Sequence, residues 1–193
     1  MKKTLLTLSV LFALAACGDT PAEQAAAPVA EASQPAQTNI AVMDTDWPTY
    51  MQHANTALKA ANTGISIPNT AAPSDNGDGT QKLYQQLVDG LTLSVITNDA
   101  GKLNEVRIIW QPENNPKQTK QLSAAAAALL AATNPDDRSL FDDTTYQMEQ
   151  AIQSHNSQSG GADSGLQKFT RFDIDYKIAA TNQPSVLLTA NAK

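Results

Sequence analysis

Period-two alternation of apolar residues in the middle of the chain limits the fold more than any other feature. It runs through residues 91–98 and again through 102–111. The apolar members are Leu91, Leu93, Val95, Val106, Ile108 and Trp110. Successive side chains of a β-strand point to opposite faces, so a period of two places these residues on one side. The alternation predicts an antiparallel sheet with one buried face and one wet face.

Short turn sequences separate these strands from each other and from a third. Asp89-Gly90, the preferred dipeptide of a tight hairpin, lies between residues 81–88 and 91–98. Asp99-Ala100-Gly101 lies between residues 91–98 and 102–111. The three segments are therefore predicted to form a meander.

Helical patterns flank the meander. Asp46 is predicted to cap a helix that begins at Trp47 and Pro48. An alanine-rich run of high helix propensity predicts a second helix over about residues 117–132. Asn134 is predicted to cap a third helix with Pro135 at its first position, and residues 154–167 are predicted to be a polar, flexible loop.

Two further strands are predicted near the C-terminus, over residues 169–178 and 186–190. The first alternates strongly, with Phe172, Ile174, Tyr176 and Ile178 facing in and Arg171, Asp173, Asp175 and Lys177 facing out. The element order is α-βββ-αα-ββ. The sequence thus predicts an α+β domain with an antiparallel sheet of about five strands, one face of which is packed by helices.

The N-terminus has the three-part layout of an export signal. Lys2 and Lys3 form a basic start, an apolar run of about ten residues follows to Leu14, and small residues precede Cys17. That run is too short to span a bilayer, which takes about 20 residues. Residues 1–16 are therefore predicted to be a signal peptide.

The segment Leu14-Ala15-Ala16-Cys17 resembles the lipobox of bacterial lipoprotein precursors. The resemblance implies cleavage between Ala16 and Cys17 and attachment of a diacylglycerol to the Cys17 sulfur. Two acyl chains give stable anchoring where one is marginal. In the sorting logic of lipoproteins, Asp directly after the cysteine retains the protein at the inner membrane. Here Gly18 follows Cys17 and Asp19 comes one position later, so the resemblance favours the outer membrane.

Residues 17–45 are predicted to form a tether between anchor and domain. The segment is rich in Ala, Pro, Gln and Glu and has no aromatic residue. It buries too little apolar surface to offset its ordering entropy, and Pro21, Pro28 and Pro35 interrupt a helix. Residues 46–193 are then the globular domain, of ordinary single-domain length.

Charge and motif content narrow the classes of function. Removal of Lys2 and Lys3 with the signal leaves 11 basic and 19 acidic residues, a formal charge of −8. This balance argues against nucleic acid as a partner. No nucleotide-binding or hydrolase motif is present. His53 and His155 are interpreted as solvated, and no cofactor is predicted.

Two clusters could hold chemistry, and each has a simpler interpretation. The loop of residues 74–79 partly resembles a calcium loop, but Ser74 and Gln85 occupy the positions of its two carboxylate anchors, so no metal site is predicted. The acidic residues Asp136, Asp137, Asp142 and Asp143 are interpreted as favourable charges near a helix N-terminus. An acid pair of a hydrolase is the alternative.

The leading hypothesis is a non-enzymatic, membrane-anchored module that binds another envelope or extracellular protein. The possible partner face comprises Ile96, Ile109, Arg171, Asp173, Asp175 and Lys177. The alternation places Ile96 and Ile109 on the wet side of the sheet, where together they could form a binding patch. A structural or assembly accessory of the outer membrane and an unrecognised hydrolase are the two alternatives.

Overall fold

A computed structural model describes residues 41–112, 115–157, 165–181 and 185–193. Seven strands and three helices are found in these ranges. The helices are α1 (Trp47–Ala60), α2 (Pro116–Ala131) and α3 (Leu140–Ser157); the strands are β1 (Ser74–Asp75), β2 (Thr80–Val88), β3 (Leu91–Asn98), β4 (Leu103–Trp110), β5 (Leu166–Arg171), β6 (Ile174–Ala180) and β7 (Val186–Ala192). The predicted α+β class is confirmed, whereas the sheet has seven strands and not about five.

All strands belong to one antiparallel sheet of order β1-β2-β3-β4-β7-β6-β5. The strands β2, β3 and β4 form one meander, and β5, β6 and β7 form a second. The two meanders meet where β4 pairs with β7, for example at Ile108 opposite Leu188. Each meander follows a helix, so the two halves of the domain repeat one architecture without a visible repeat in sequence.

The core lies on one side of this sheet. The alternating residues predicted to face inward are buried: Leu91, Leu93, Val95, Val106, Ile108, Trp110, Ile174, Tyr176 and Ile178. They form one hydrophobic cluster with the buried residues of the three helices. The opposite side is called the open face below, since none of the described helices contributes to it.

Helix α2 is the central helix of this layer. Its alanines Ala125–Ala128 and the following Leu129 and Leu130 are all fully buried. A helix that is apolar on all sides is expected where it is enclosed, and α2 contacts α1, α3, β4 and β7. Tyr50 of α1 reaches across, and its hydroxyl donates to the backbone oxygen of Leu129 at 3.0 Å.

Helix α1 begins as predicted with a cap at Asp46, and the chain is packed for a few residues before it. The Asp46 side chain accepts from the Thr49 backbone N–H at 3.0 Å, and hydrogen bonds from the Thr49 side chain and then from its backbone lower the Asp46 pKa. The last residues of the predicted tether are also packed. Met43 and Thr45 are buried, and the Leu103 backbone N–H donates to the Thr45 oxygen at 3.0 Å. The signal, Cys17 and residues up to 40 lie outside the described residues.

The single strand predicted over residues 169–178 is wrong, because the chain reverses in its middle. Phe172 and Asp173 have φ of 48° and 61° and form the turn between β5 and β6. Phe172 is therefore not inward-facing, and 76% of it is exposed. The turn also shifts the alternation, so Arg171 pairs with the buried Ile174 and lies on the helix side of the sheet.

The predicted start of the third helix is also wrong. Residues 134–139 form turns, and α3 begins at Leu140. The Asp137 side chain accepts from the Ser139 N–H at 3.1 Å, which closes a local turn that competes with a helix from Pro135. At its other end α3 continues to Ser157, so His155 belongs to the last helical turn and not to a loop.

The left-handed backbone conformation of Phe172 predicts that another residue at this position would make the domain more stable. A bulky residue at positive φ is strained, whereas Asn tolerates this region and is favoured in two-residue hairpin turns. Because Phe172 is exposed, its replacement removes little packing. We expect Phe172→Asn to raise the free energy of unfolding by about 1 kcal/mol in chemical denaturation.

Phe169 provides the matched control on the same hairpin. Its ring stacks on Tyr176 with centroids 4.9 Å apart, and it packs against the core. Phe169→Ala should therefore lower stability by about 1–3 kcal/mol. Loss of stability in Phe172→Asn would show that the Phe172 ring makes stabilising contacts.

Candidate functional site on the open face of the sheet

Strand register arranges the open face into three rows that run across the sheet. The apolar row consists of Gln86, Thr92, Ile109, Leu187, Ala179 and Leu166. The basic row consists of Tyr84, Ser94, Arg107, Thr189, Lys177 and Lys168, and the mixed row of Lys82, Ile96, Glu105, Asn191, Asp175 and Thr170. Directly opposite residues on paired antiparallel strands have Cβ atoms about 4.5–5.5 Å apart.

A broad groove lies along the apolar row and has a volume of about 720 Å³. Ile109 forms its centre, because it pairs with Thr92 on one side and Leu187 on the other. The lining residues are Tyr84, Gln86, Asp89, Gly90, Thr92, Ile109, Gln111, Thr181, Ser185 and Leu187. The arrangement offers an apolar floor with amide and hydroxyl groups and one carboxylate, that of Asp89, around it, which suits a protein surface or an extended segment.

Tyr84 stands at the edge of this groove. Its side chain belongs to β2, and 67% of the residue is exposed. A tyrosine supplies a large rigid contact area with a polar tip, which is why the residue is enriched at interfaces. Tyr84 and Leu187 were not among the predicted partner residues. The alternation of Val186, Leu188 and Ala190 toward the core would have placed Leu187 on the open face.

The basic row carries three cations. The Arg107 guanidinium lies 2.9 Å from the Glu105 carboxylate, its neighbour on the same strand and face. Lys168 of β5 and Lys177 of β6 are exposed and directly opposite each other. Neither lysine forms an ion pair within the part of the chain that the structure describes.

The structure divides the six residues of the predicted partner face. Ile96, Ile109, Asp175 and Lys177 do lie together on the open face. Asp173 lies in the β5–β6 turn, and Arg171 faces the helices. The two departures have one cause, the hairpin turn that the alternation of residues 169–178 concealed.

Arg171 instead joins a polar cluster under the edge of the sheet. Its guanidinium donates to the Asp143 carboxylate of α3 and lies 3.7 Å from the Asp137 carboxylate. Only 8% of the Asp137 side chain is exposed. The other Asp137 oxygen accepts from the Ser139 hydroxyl at 2.8 Å. This arrangement is typical of a structural ion pair that ties β5 to the start of α3.

The acidic group predicted near a helix N-terminus is thus split. Asp137 and Asp143 contact Arg171, whereas Asp136 and Asp142 are exposed. A neighbouring buried bond joins the Tyr176 hydroxyl to the Thr133 hydroxyl at 3.0 Å, and burial raises the Tyr176 pKa to about 12. These groups hold α2, α3 and β6 together.

The loop that partly resembles a calcium site is the turn of the β1–β2 hairpin. The Asp78 carboxylate accepts from the Thr80 hydroxyl and backbone N–H and from the Asn76 amide, and the Thr80 hydroxyl bond lowers the Asp78 pKa. Asp75 accepts from the Gly77 N–H at 2.8 Å. In the described residues no group of three or more His, Cys, Asp or Glu side chains could hold a metal ion.

The two histidines lie on different helices. His53 is half-buried in α1, and its Nδ1 atom is buried without a hydrogen-bond partner in the described structure. His155 is half-buried at the end of α3, where its Cβ atom lies close to Gly165. The structure does not bring either histidine together with the acidic cluster in a hydrogen bond or ion pair among the described residues.

Comparisons with known protein families, with curated proteins and with solved structures find no match to this chain. Among the described residues, none of the helices has both the length and the apolar character needed to cross a membrane.

The ion pairs of Arg171 predict that its replacement would lower the free energy of unfolding. Replacing it with Met leaves the nearly buried Asp137 carboxylate without its counter-charge, which is costly in a low-dielectric site. We expect Arg171→Met to lower the free energy of unfolding by about 1–3 kcal/mol. Lys177→Met, an exposed change on the adjacent strand, should stay within about 0.5 kcal/mol of the wild type.

A double variant distinguishes the loss of the Arg171–Asp137 ion pair from the loss of the packing contacts of the Arg171 side chain. Asp137→Asn removes the buried charge, so adding it to Arg171→Met should recover part of the lost stability. A double variant as unstable as the sum of the single variants would show that the two side chains do not interact.

Proposed function

We propose that this protein is a lipid-anchored envelope protein whose globular domain binds another envelope or extracellular protein through the open face of its sheet. The observation that supports this proposal is the pairing of Ile109 with Leu187 in the centre of that face. A wet sheet face usually carries polar residues. Two adjacent branched apolar side chains beside an exposed Tyr84 instead form the kind of surface that a partner covers.

The anchor in this proposal is the lipid on Cys17. The export signal, the lipobox-like segment and the acidic, proline-containing stretch that follows support attachment through a tether. The position of Asp19, one residue later than the inner-membrane retention signal, favours the outer membrane. In this arrangement the domain searches for its partner at some distance from the bilayer, since an unfolded chain of this length has ends about 30 Å apart.

Two other functions remain as alternatives in the proposal. A structural or assembly accessory of the outer membrane would use the same face in a permanent complex. A hydrolase would need a pair of carboxylates or a base next to a pocket. The contacts of Asp137 and Asp143 with Arg171 favour the binding module over the hydrolase, because they occupy both carboxylates in an ion pair.

Site-specific photo-crosslinking in intact cells tests the binding proposal. A photoreactive amino acid replaces Ile109 or Leu187 in one set of cells and the exposed Lys117 of α2 in another. We expect one or a few discrete adducts from the two open-face positions and none from Lys117. The reason is that a photoreactive side chain crosslinks to what it touches, and a partner docked on the open face touches the groove and not Lys117.

The anchor is tested in the same experiment. Cys17→Ala removes the proposed site of lipid attachment, and we expect the adducts at Ile109 to be lost or strongly reduced with it. Adducts of equal strength from Ile109 and Lys117, or from neither, would contradict a binding site on the open face. Retention of the Ile109 adducts in Cys17→Ala would contradict only the role of the anchor.

A further inference from the structure

The charge on the open face is opposite in sign to the charge on the rest of the domain. The described residues contain 11 Lys or Arg and 14 Asp or Glu. The three rows of the open face hold four of these bases, Lys82, Arg107, Lys168 and Lys177, and the two acids Glu105 and Asp175, while a third acid, Asp89, lines the groove. The rest of the described domain carries seven bases against 11 acids. Cations are thus concentrated on the face that the helices leave uncovered.

One pair within the basic row is unfavourable in the isolated domain. Lys168 and Lys177 are direct cross-strand neighbours on β5 and β6. Like charges in this position destabilise a sheet, whereas a Lys–Glu pair would stabilise it by a few tenths of a kcal/mol. Thr189 is the next residue of the row and contributes no counter-charge. An anionic group placed over this end of the row would relieve the repulsion.

The apolar and basic rows are adjacent. Ile109 of the apolar row and Arg107 of the basic row lie two positions apart on β4, and Leu187 and Thr189 do so on β7. Two residues along a strand correspond to about 6.8 Å. A ligand that spans both rows would therefore present an apolar side chain to Ile109 and Leu187 and carboxylates to Arg107, Lys177 and Lys168.

We propose that the partner docks an acidic polypeptide segment with an apolar anchor residue across the open face, with the anchor between Ile109 and Leu187 and the carboxylates over the basic row. This inference rests on the proposed function and adds the chemistry of the partner. Complementary charge gives such an encounter its specificity and speed, and the apolar contact slows dissociation.

The charge distribution favours a polypeptide over an anionic bilayer or a nucleic acid. Those partners present many closely spaced phosphates and require broad basic surfaces. Here four cations share their face with Glu105, Asp175 and the groove-lining Asp89, and the rest of the domain is acidic. A single short acidic segment can meet the row without bringing an extended anionic surface against the acidic surroundings.

The test uses the full lipidated protein in a non-ionic detergent. The probe is a fluorescently labelled peptide rich in glutamate with one central leucine, followed by anisotropy at low salt. A peptide with glutamine in place of every glutamate is the charge control, and one with serine for leucine tests the anchor. We expect binding of the glutamate–leucine peptide alone, weakened at 0.5 M salt because the Debye length is then only about 4 Å.

Lys168→Glu is the decisive variant, because it should not impair folding. It converts the Lys168–Lys177 repulsion into an attractive cross-strand pair, so thermal stability should be equal or higher. We expect the same change to weaken peptide binding at least about fivefold, which corresponds to about 1 kcal/mol. Lys117→Glu makes the same charge change at an exposed position at the start of α2 and should alter binding less than about twofold.

The outcomes separate this inference from the proposed function. Equal weakening by Lys168→Glu and Lys117→Glu would overturn the inference, since binding would then follow net charge alone. Tighter binding to vesicles containing phosphatidylglycerol than to neutral vesicles, or binding to duplex DNA as tight as to the peptide, would also overturn it. If open-face adducts form in cells but the glutamate–leucine peptide does not bind, the binding module stands and the acidic partner is wrong.

Discussion

The packing of α2 against the centre of the sheet is the contact on which the rest of the structure depends. Its buried alanines present little volume on any side, so neighbouring helices and strands can approach closely. The Tyr50 hydroxyl fastens α1 to α2, and the Thr133–Tyr176 bond fastens the end of α2 to β6. Because α2 lies between α1 and α3, all three helices share one layer. The other face of the sheet is left without a described helix.

Because the helices cover one side of the sheet only, the side chains of the open face have no described helix against them. Small side chains opposite the core, such as Ser94 and Thr189, are buried within the described domain, whereas larger ones must either be wet or be covered by something outside it. The apolar pair Ile109–Leu187 and the repulsive pair Lys168–Lys177 are each less favourable in water than the alternatives that the fold would accept. An acidic segment with an apolar anchor would satisfy both pairs at once. Shape, apolar content and charge thus indicate the same surface.

Much of the architecture could be predicted from sequence because it is local. The cap at Asp46, the tight turn at Asp89-Gly90 and the alternation in residues 91–98 each act within a few residues. The pairing of β4 with β7 could not be predicted in this way, since it joins segments about 80 residues apart and carries no local signal. The two-residue β1 is too short to show alternation.

The errors came from local patterns that a competing interaction overrides. The apolar alternation of Phe172, Ile174, Tyr176 and Ile178 runs into the turn at Phe172-Asp173, so it gave no sign of the reversal. The two-residue turn shifts the period, since Arg171 and Ile174, three positions apart, share the helix side of the sheet. At the third helix, the Asp137–Ser139 turn and the Arg171 ion pair prevail over the cap expected at Asn134. Four of the six predicted partner residues, Ile96, Ile109, Asp175 and Lys177, nevertheless lie on the open face as predicted, since their placement depends only on strand parity.

If a partner covers the open face in the cell envelope, a thiol placed on that face should be shielded there, which thiol accessibility in native envelopes measures. Cys17 is the only cysteine of the chain, so Ile109→Cys and Lys117→Cys each add one defined thiol. Alkylation rates with a small polar maleimide would be compared between native envelopes and the detergent-purified protein. We expect Ile109→Cys to react in the purified protein and to be protected in envelopes, while Lys117→Cys reacts in both. Equal rates for Ile109→Cys in the two states would contradict it.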